Sequence, residues 1–136
     1  MNDCLFCKIV AGKIPAEKVY EDKDVLAFLD ISPVNPGHTL VLPKEHFETY
    51  LDTPDDLLAD LSKKIKKIAH GVKEATEAEG INIMVNAHKA AGQVIPHLHT
   101  HIIPRYISDG FKHWVGTKSS EKKSKRLAEK IKKEIK

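Results

Sequence analysis

The chain has 136 residues, 41% of them hydrophobic and 30% charged, which suits one globular domain large enough to bury a core. No apolar run approaches the ~20 residues of a membrane span, and Met1-Asn2-Asp3-Cys4 lacks the basic start and apolar core of a signal peptide, so the expected setting is cytoplasmic. The net charge of +3 is uneven: residues 118–136 carry nine Lys or Arg against three Glu, a local +6, leaving −3 for the remaining 117 residues.

In chain order, Cys4 to Val10 is a short apolar helix ending at Ala11-Gly12. Val19-Tyr20 and Val25 to Leu29 are two short strands separated by the charged turn Glu21-Asp22-Lys23-Asp24. Ile31 to Gly37 holds two prolines and a glycine and is a loop. His38 to Leu42 forms a third strand, stopped by Pro43. A long helix follows, with Thr53 as N-cap, Pro54 in the first position and Asp55 and Asp56 at the positive end. Its stripe is Leu57, Leu58, Leu61, Ile65, Ile68 and Val72, and Gly80 closes it. His70 falls off the strongest part of the stripe and is structural or solvated. Ile81 to Val85 is a further strand, Asn86 to Val94 a loop, and the last strand is histidine-rich and stopped by Pro104. Ser120 to about Lys133 is an amphipathic helix whose Leu127, Ala128, Ile131 and Ile135 keep helical spacing and could pack on the body. A meander of strands, a long helix and two more strands make an α+β domain with an antiparallel sheet.

The chemistry concentrates in His97-Leu98-His99-Thr100-His101-Ile102-Ile103. In an extended strand the three imidazoles share one face and Leu98, Thr100 and Ile102 the other. Lined-up histidines suit a nucleophile, acid, base or ligand near neutral pH, whereas the bland alternative is a loose metal-binding tract. His99 and His101, with His38 on a neighbouring strand, suit nucleophilic attack and proton delivery. On an exposed strand face, His99 should be replaceable without harm to the fold. Ala90-Ala91-Gly92-Gln93 offers a backbone N–H and an amide to phosphate oxygens but is not a P-loop, since no Lys-Ser/Thr follows the glycine.

The only cysteines, Cys4 and Cys7, are a poor disulfide staple and read as half a zinc site or a redox pair. Zinc is favoured, because no strand precedes the pair. Tetrahedral zinc needs two more ligands, for which His46 and one of the three strand histidines are candidates.

These residues resemble the histidine triad (HIT) superfamily, whose signature is His-φ-His-φ-His-φ-φ with φ hydrophobic; Thr100 departs from it mildly. Cys4-Leu5-Phe6-Cys7-Lys8-Ile9, Ile14-Pro15-Ala16, Tyr20-Glu21-Asp22, Leu29-Asp30-Ile31-Ser32-Pro33, Pro36 to Lys44 and Ala91-Gly92-Gln93 fit as well, covering roughly residues 4 to 106 in order. The resemblance implies an α+β homodimer with one sheet extended across both subunits. It also implies cleavage of a purine nucleotide conjugate at the α-phosphate through a covalent nucleotidyl-histidine. By position, His99 is the nucleophile, His101 assists the leaving group and His38 joins their network. Asp30 binds the ribose hydroxyls, Phe28 and Ile31 wall the base, and Asn86, Gly92 and Gln93 lie near the phosphate. Structural zinc falls to Cys4, Cys7, His46 and His97, with no catalytic metal.

The chain then divides into a HIT domain over 1–110 and a C-terminal extension over 111–136. Asp30-Ile31-Ser32-Pro33 favours the Hint-like branch, which cleaves adenosine phosphoramidates and acyl adenylates. Pro104-Arg105 with Asp109-Gly110-Phe111 is similar to the Fhit-like branch, which cleaves dinucleoside polyphosphates. The competing classes are a nucleotide-binding protein with little activity and, from the basic tail, a nucleic-acid-end processing protein. Neither a nucleic-acid nor a membrane partner is expected.

Overall fold

The computed structural model describes residues 3–136. Helix α1 spans Leu5–Val10, strands β1, β2 and β3 span Lys18–Glu21, Val25–Leu29 and Thr39–Pro43, and helix α2 spans Asp55–Thr76. Strands β4 (Gly80–Val85) and β5 (Thr100–Arg105) and helix α3 (Glu121–Glu134) follow. The five strands form one sheet in the order β1-β2-β3-β5-β4, with every neighbouring pair antiparallel. The expected α+β class and antiparallel sheet are what the chain builds.

Period-two alternation assigns each face of the sheet its own helix. Val25, Ala27, Val41, Leu98 and Ile102 meet Leu61, Ile68, Ala69 and Val72 of α2. On the other face, Leu26, Phe28, Leu40 and Leu42 meet Cys4, Phe6 and Ile9 of the N-terminal segment. All three triad histidines belong to this second face: Phe6 lies edge-on to His97 and His99, with ring centroids 6.0 and 5.0 Å away.

Several boundaries differ from expectation. Thr53 does not cap α2. A capping box between Thr49 and Asp52 holds a separate 3-10 turn over Tyr50–Asp52, and Thr53 donates its hydroxyl to the Thr49 carbonyl at 2.7 Å. Helix α2 ends at Thr76, with Glu77 in the left-handed region, so Gly80 opens β4 and does not close the helix. Glu21 belongs to β1, Pro43 completes β3, and Pro104 lies inside β5. The Pro104 carbonyl is turned to Asn35, not to β4, so the N–H it lacks is missing from the side that lies beyond the start of β3, where no strand pairs with it. Regular pairing in β5 starts only at Thr100, leaving His97 in a bend and His99 just ahead of the ladder, so the expected strand covers only the last of the three histidines.

The loop between β2 and β3 is pinned from two sides. Asn35 Nδ2 donates to the Pro104 carbonyl at 2.8 Å and to Asp109 Oδ2 at 3.2 Å, and Asp109 also takes Arg105 Nε at 2.7 Å. Gly37, at φ +98°, passes so close to α2 that a Cβ there would stand 2.5 Å from Thr76 Cγ2. This loop carries Asp30 and His38 at its two ends.

Candidate active site and metal centre

His38, His97 and His99 are each oriented by a backbone group and His101 by the His38 ring, which fixes their tautomers. His97 Nε2 faces the Pro43 carbonyl at 2.8 Å and must carry the proton, leaving the Nδ1 lone pair free. His99 Nδ1 faces the His97 carbonyl at 2.7 Å, so its Nε2 is the bare, nucleophilic atom. The Val34 N–H donates to His38 Nδ1 at 3.1 Å, which puts the His38 proton on Nε2. That proton is donated to His101 Nδ1 at 2.9 Å, so His101 carries its own on Nε2. The rings of His99 and His101 lie 5.0 Å apart.

Burial lowers the proton affinity of His38, His99 and His101, and for His101 the neighbouring His99 and His38 lower it further, to about 4. Asp30 opposes these shifts weakly. A neutral His99 is the form that can attack an electrophile. His99 is 8% exposed, contrary to its expected place on an exposed face, because Phe6 of α1 covers that side of the strand.

Asp30 stands beside this row, its Oδ1 taking the Ser32 N–H at 2.8 Å and its Oδ2 3.7 Å from His38 Nε2. Of the expected base-pocket walls, Phe28 is nearly buried against Phe6 and Ile31 is almost fully exposed. Asn86 and Gly92 are brought together, a Cβ on Gly92 lying 3.6 Å from Asn86 Nδ2. Gln93 is turned inward: its amide accepts the His88 N–H and donates to the carbonyls of Ile95 and Glu48, the last tying its loop to the segment after β3.

Cys4, Cys7, His46 and His97 converge on one point, their ligand atoms all within 4.8 Å of one another. Cys4 Sγ and Cys7 Sγ lie 3.4 and 3.6 Å from His97 Nδ1, Cys7 Sγ 3.4 Å from His46 Nδ1, and the two Nδ1 atoms are 3.2 Å apart. Zinc bonds of ordinary length in a tetrahedron need edges of about 3.3–3.8 Å, so these residues fit the metal in both chemistry and spacing. Cys4 also caps α1 by taking the Cys7 N–H.

Sequence reasoning missed Phe6, Val34 and the Asn35–Asp109–Arg105 tie. Val34 acts through its backbone and leaves no side-chain signal. Asn35, just before Pro36-Gly37, carried a turn signature that hid its second use.

Comparison with known proteins agrees with the geometry. A family model described as HIT domain matches residues 11–107. An uncharacterized HIT-like protein of Methanocaldococcus jannaschii is 52% identical over 107 residues, 79% of this chain and 82% of its own. The adenylylsulfatase HINT3 of Arabidopsis thaliana is 45% identical over 108 residues, 79% of this chain but 55% of its own. Among solved structures, SMU.412c from Streptococcus mutans superposes with a TM-score of 0.94 at 51% identity, covering 100% of this chain and 87% of its own. A HIT family member from Bacillus subtilis gives 0.91 at 42% identity, covering 98% of each chain. A zinc-bound histidine triad family protein from Mycobacterium smegmatis gives 0.77 at 37% identity, with 98% and 99% covered.

Proposed function

From the premise that the chain belongs to the HIT domain family, we propose that it is a Hint-like nucleotide hydrolase that cleaves adenosine (purine) nucleotide conjugates at the α-phosphate and releases AMP. The observation that carries this reading is the tautomer relay from the Val34 N–H through His38 to His101, set beside the bare Nε2 of His99.

In the proposed mechanism, His99 Nε2 attacks the α-phosphorus and the bond from phosphorus to the leaving nitrogen or oxygen breaks. His101 Nε2–H donates a hydrogen bond to the departing atom, which takes its proton from water and leaves hydroxide, and His38 holds His101 in the tautomer that can donate. A water molecule then attacks the adenylyl-His99 phosphorus, its proton neutralises that hydroxide, and AMP leaves with His99 regenerated. Asp30 accepts from the ribose hydroxyls, Phe28 and Ile31 border the base, and Asn86 with Gly92 faces the phosphate oxygens. Gln93 serves that face by holding the loop. The adenylylsulfatase name of the Arabidopsis relative supports an adenylate with an acidic leaving group as one substrate type.

Cys4, Cys7, His46 and His97 would hold zinc as a closed tetrahedral site that ties the N-terminal segment to the start of the histidine row. The metal is assigned no part in the reaction. We further assign a homodimer joined at β4, one of the two edge strands of the sheet, where Ile83 and Val85 are exposed. Among the described residues no helix is long and apolar enough to cross a membrane.

Steady-state AMP release from adenosine phosphoramidate and from diadenosine tetraphosphate tests the substrate class. Faster turnover of the phosphoramidate is the expected result; a preference for the tetraphosphate would move the protein to the Fhit-like branch, and inertness toward both would leave a binding role.

A further inference from the structure

Helix α3 has no residue buried. Ser120 caps it, accepting the Lys123 N–H at 3.2 Å, yet Leu127, Ile131 and Ile135, one stripe at four-residue spacing, are 44%, 57% and 73% exposed. A lone helix of 14 residues is marginal in water and draws its stability from packing. The segment leading to it has no regular secondary structure, with Trp114 and Val115 both 92% exposed. In the Streptococcus mutans and Bacillus subtilis structures the correspondence runs through this arm as well, at scores that a displaced arm would not allow. An arm with so little hold on its own body keeps one position when something outside the chain holds it.

The body offers a complementary surface. Glu45, Glu48, Asp52, Asp55 and Asp56 are exposed with no Lys or Arg between them along the chain, although Lys89 borders Glu48, and among them Tyr50 and Leu51 stand 46% and 73% exposed. Tyr50 also lines a groove with Ile81, Ile83 and Val85 that reaches the β4 edge, and since Lys66 and Lys73 of α2 line that groove too, the acidic face proper is confined to residues 45–56. A basic helix with an aliphatic stripe and an acidic surface with two protruding apolar side chains match in both respects. Two α3 helices would repel each other, and the stripe carries no aromatic side chain of the kind that anchors helices at lipid interfaces.

We propose that α3 docks on the 45–56 surface of a second copy of this chain, so that each protomer clasps its partner with a basic arm. The proposal needs a second copy but not the enzymatic reading above. The full chain with Ser124→p-benzoylphenylalanine, prepared as an equal mixture of 14N- and 15N-labelled protein, is irradiated and its linked peptides are read by mass spectrometry. Links between α3 and residues 45–56 in mixed light–heavy pairs are expected. They should be lost in a chain that also carries L127E and I131E, and weakened by 0.5 M salt. Amide exchange in α3 should slow on concentrating the protein by about tenfold or more. Links confined to one chain would overturn the proposal. So would α3 amides that stay unprotected at every concentration, or that gain protection only with phosphatidylglycerol vesicles or a single-stranded oligonucleotide.

Discussion

His99 illustrates how one backbone hydrogen bond decides a side chain's chemistry. With Nδ1–H committed to the His97 carbonyl, the lone pair can stand only on Nε2. His99→Asn retains a donor near the Nδ1 position and fills part of the volume against Phe6. It should lower AMP release by about 10³-fold or more, as loss of a nucleophile does, while circular dichroism stays that of the parent. His99→Ala is the poorer control, because it opens a cavity beside Phe6. The pattern of alternating histidines made this residue conspicuous in the sequence. Its burial was not legible, because the covering ring comes from the N-terminal helix more than ninety residues away.

His101 links the same site to pH. Its proton affinity falls to about 4 through burial, His99 and His38, against 6.5 for a free imidazole. As pH drops from 6.5 the unfolded chain takes up this proton first, so stability falls between pH 6.5 and about 4 and levels off below. After solvent screening the loss comes to about 1–2 kcal/mol. Denaturation midpoints measured over that window should fall less steeply in His101→Gln than in the parent; identical slopes would show that His101 is not held neutral by the fold.

At the scale of elements, the β2–β3 loop has the clearest leverage on the site. It presents Asp30 and His38, and it is fastened by Asn35 to the end of β5 and by the close passage of Gly37 over Thr76. Asn35→Ala removes two hydrogen bonds and leaves the Pro104 carbonyl without that donor, a cost of about 1–3 kcal/mol by chemical denaturation. It should raise KM more than it lowers kcat, since Asp30 is assigned to the nucleotide. Gly37→Ala must push Thr76 aside and adopt a left-handed backbone, and should cost about as much.

The strands were legible at this scale because β2, β3 and β5 are apolar runs with turn residues around them. Their ends were not. Prolines 43 and 104 were read as stops, yet each sits where its missing N–H is not required. Gly80 was read as a helix terminator, yet Glu77 takes the left-handed position through its own N–H bonds to the carbonyls of Lys73 and Glu74. The strand ends depend on which neighbour each backbone group faces, which has no signature in local composition, while the Glu77 cap is a local bond made without the glycine expected there.

In the whole molecule, the two faces of the sheet divide the labour. The α2 face carries most of the aliphatic core, and the α1 face carries both the histidine row and the Cys–His cluster. The cluster adds a second hold on a six-residue helix that Phe6 and Ile9 already pack against the sheet. Cys4→Ser keeps a side chain able to cap α1 but removes a thiolate ligand, so bound zinc measured by emission spectroscopy should fall and the thermal midpoint with it. A variant that loses zinc yet keeps full stability would contradict the structural role. The family could be read from the sequence because the histidine row is contiguous, at positions 97–101. The isolation of α3 could not: its amphipathic spacing suggested packing on the body, and the helix instead stands free of it.

The central claim is a covalent nucleotidyl-His99, and intact-mass analysis of acid-free, rapidly quenched protein with adenosine phosphoramidate tests it most directly. An added adenylyl mass that is acid-labile, disappears as AMP accumulates and is absent in His99→Asn is the predicted result. AMP release at full rate by His99→Asn, or an adduct that persists in it, would contradict the account.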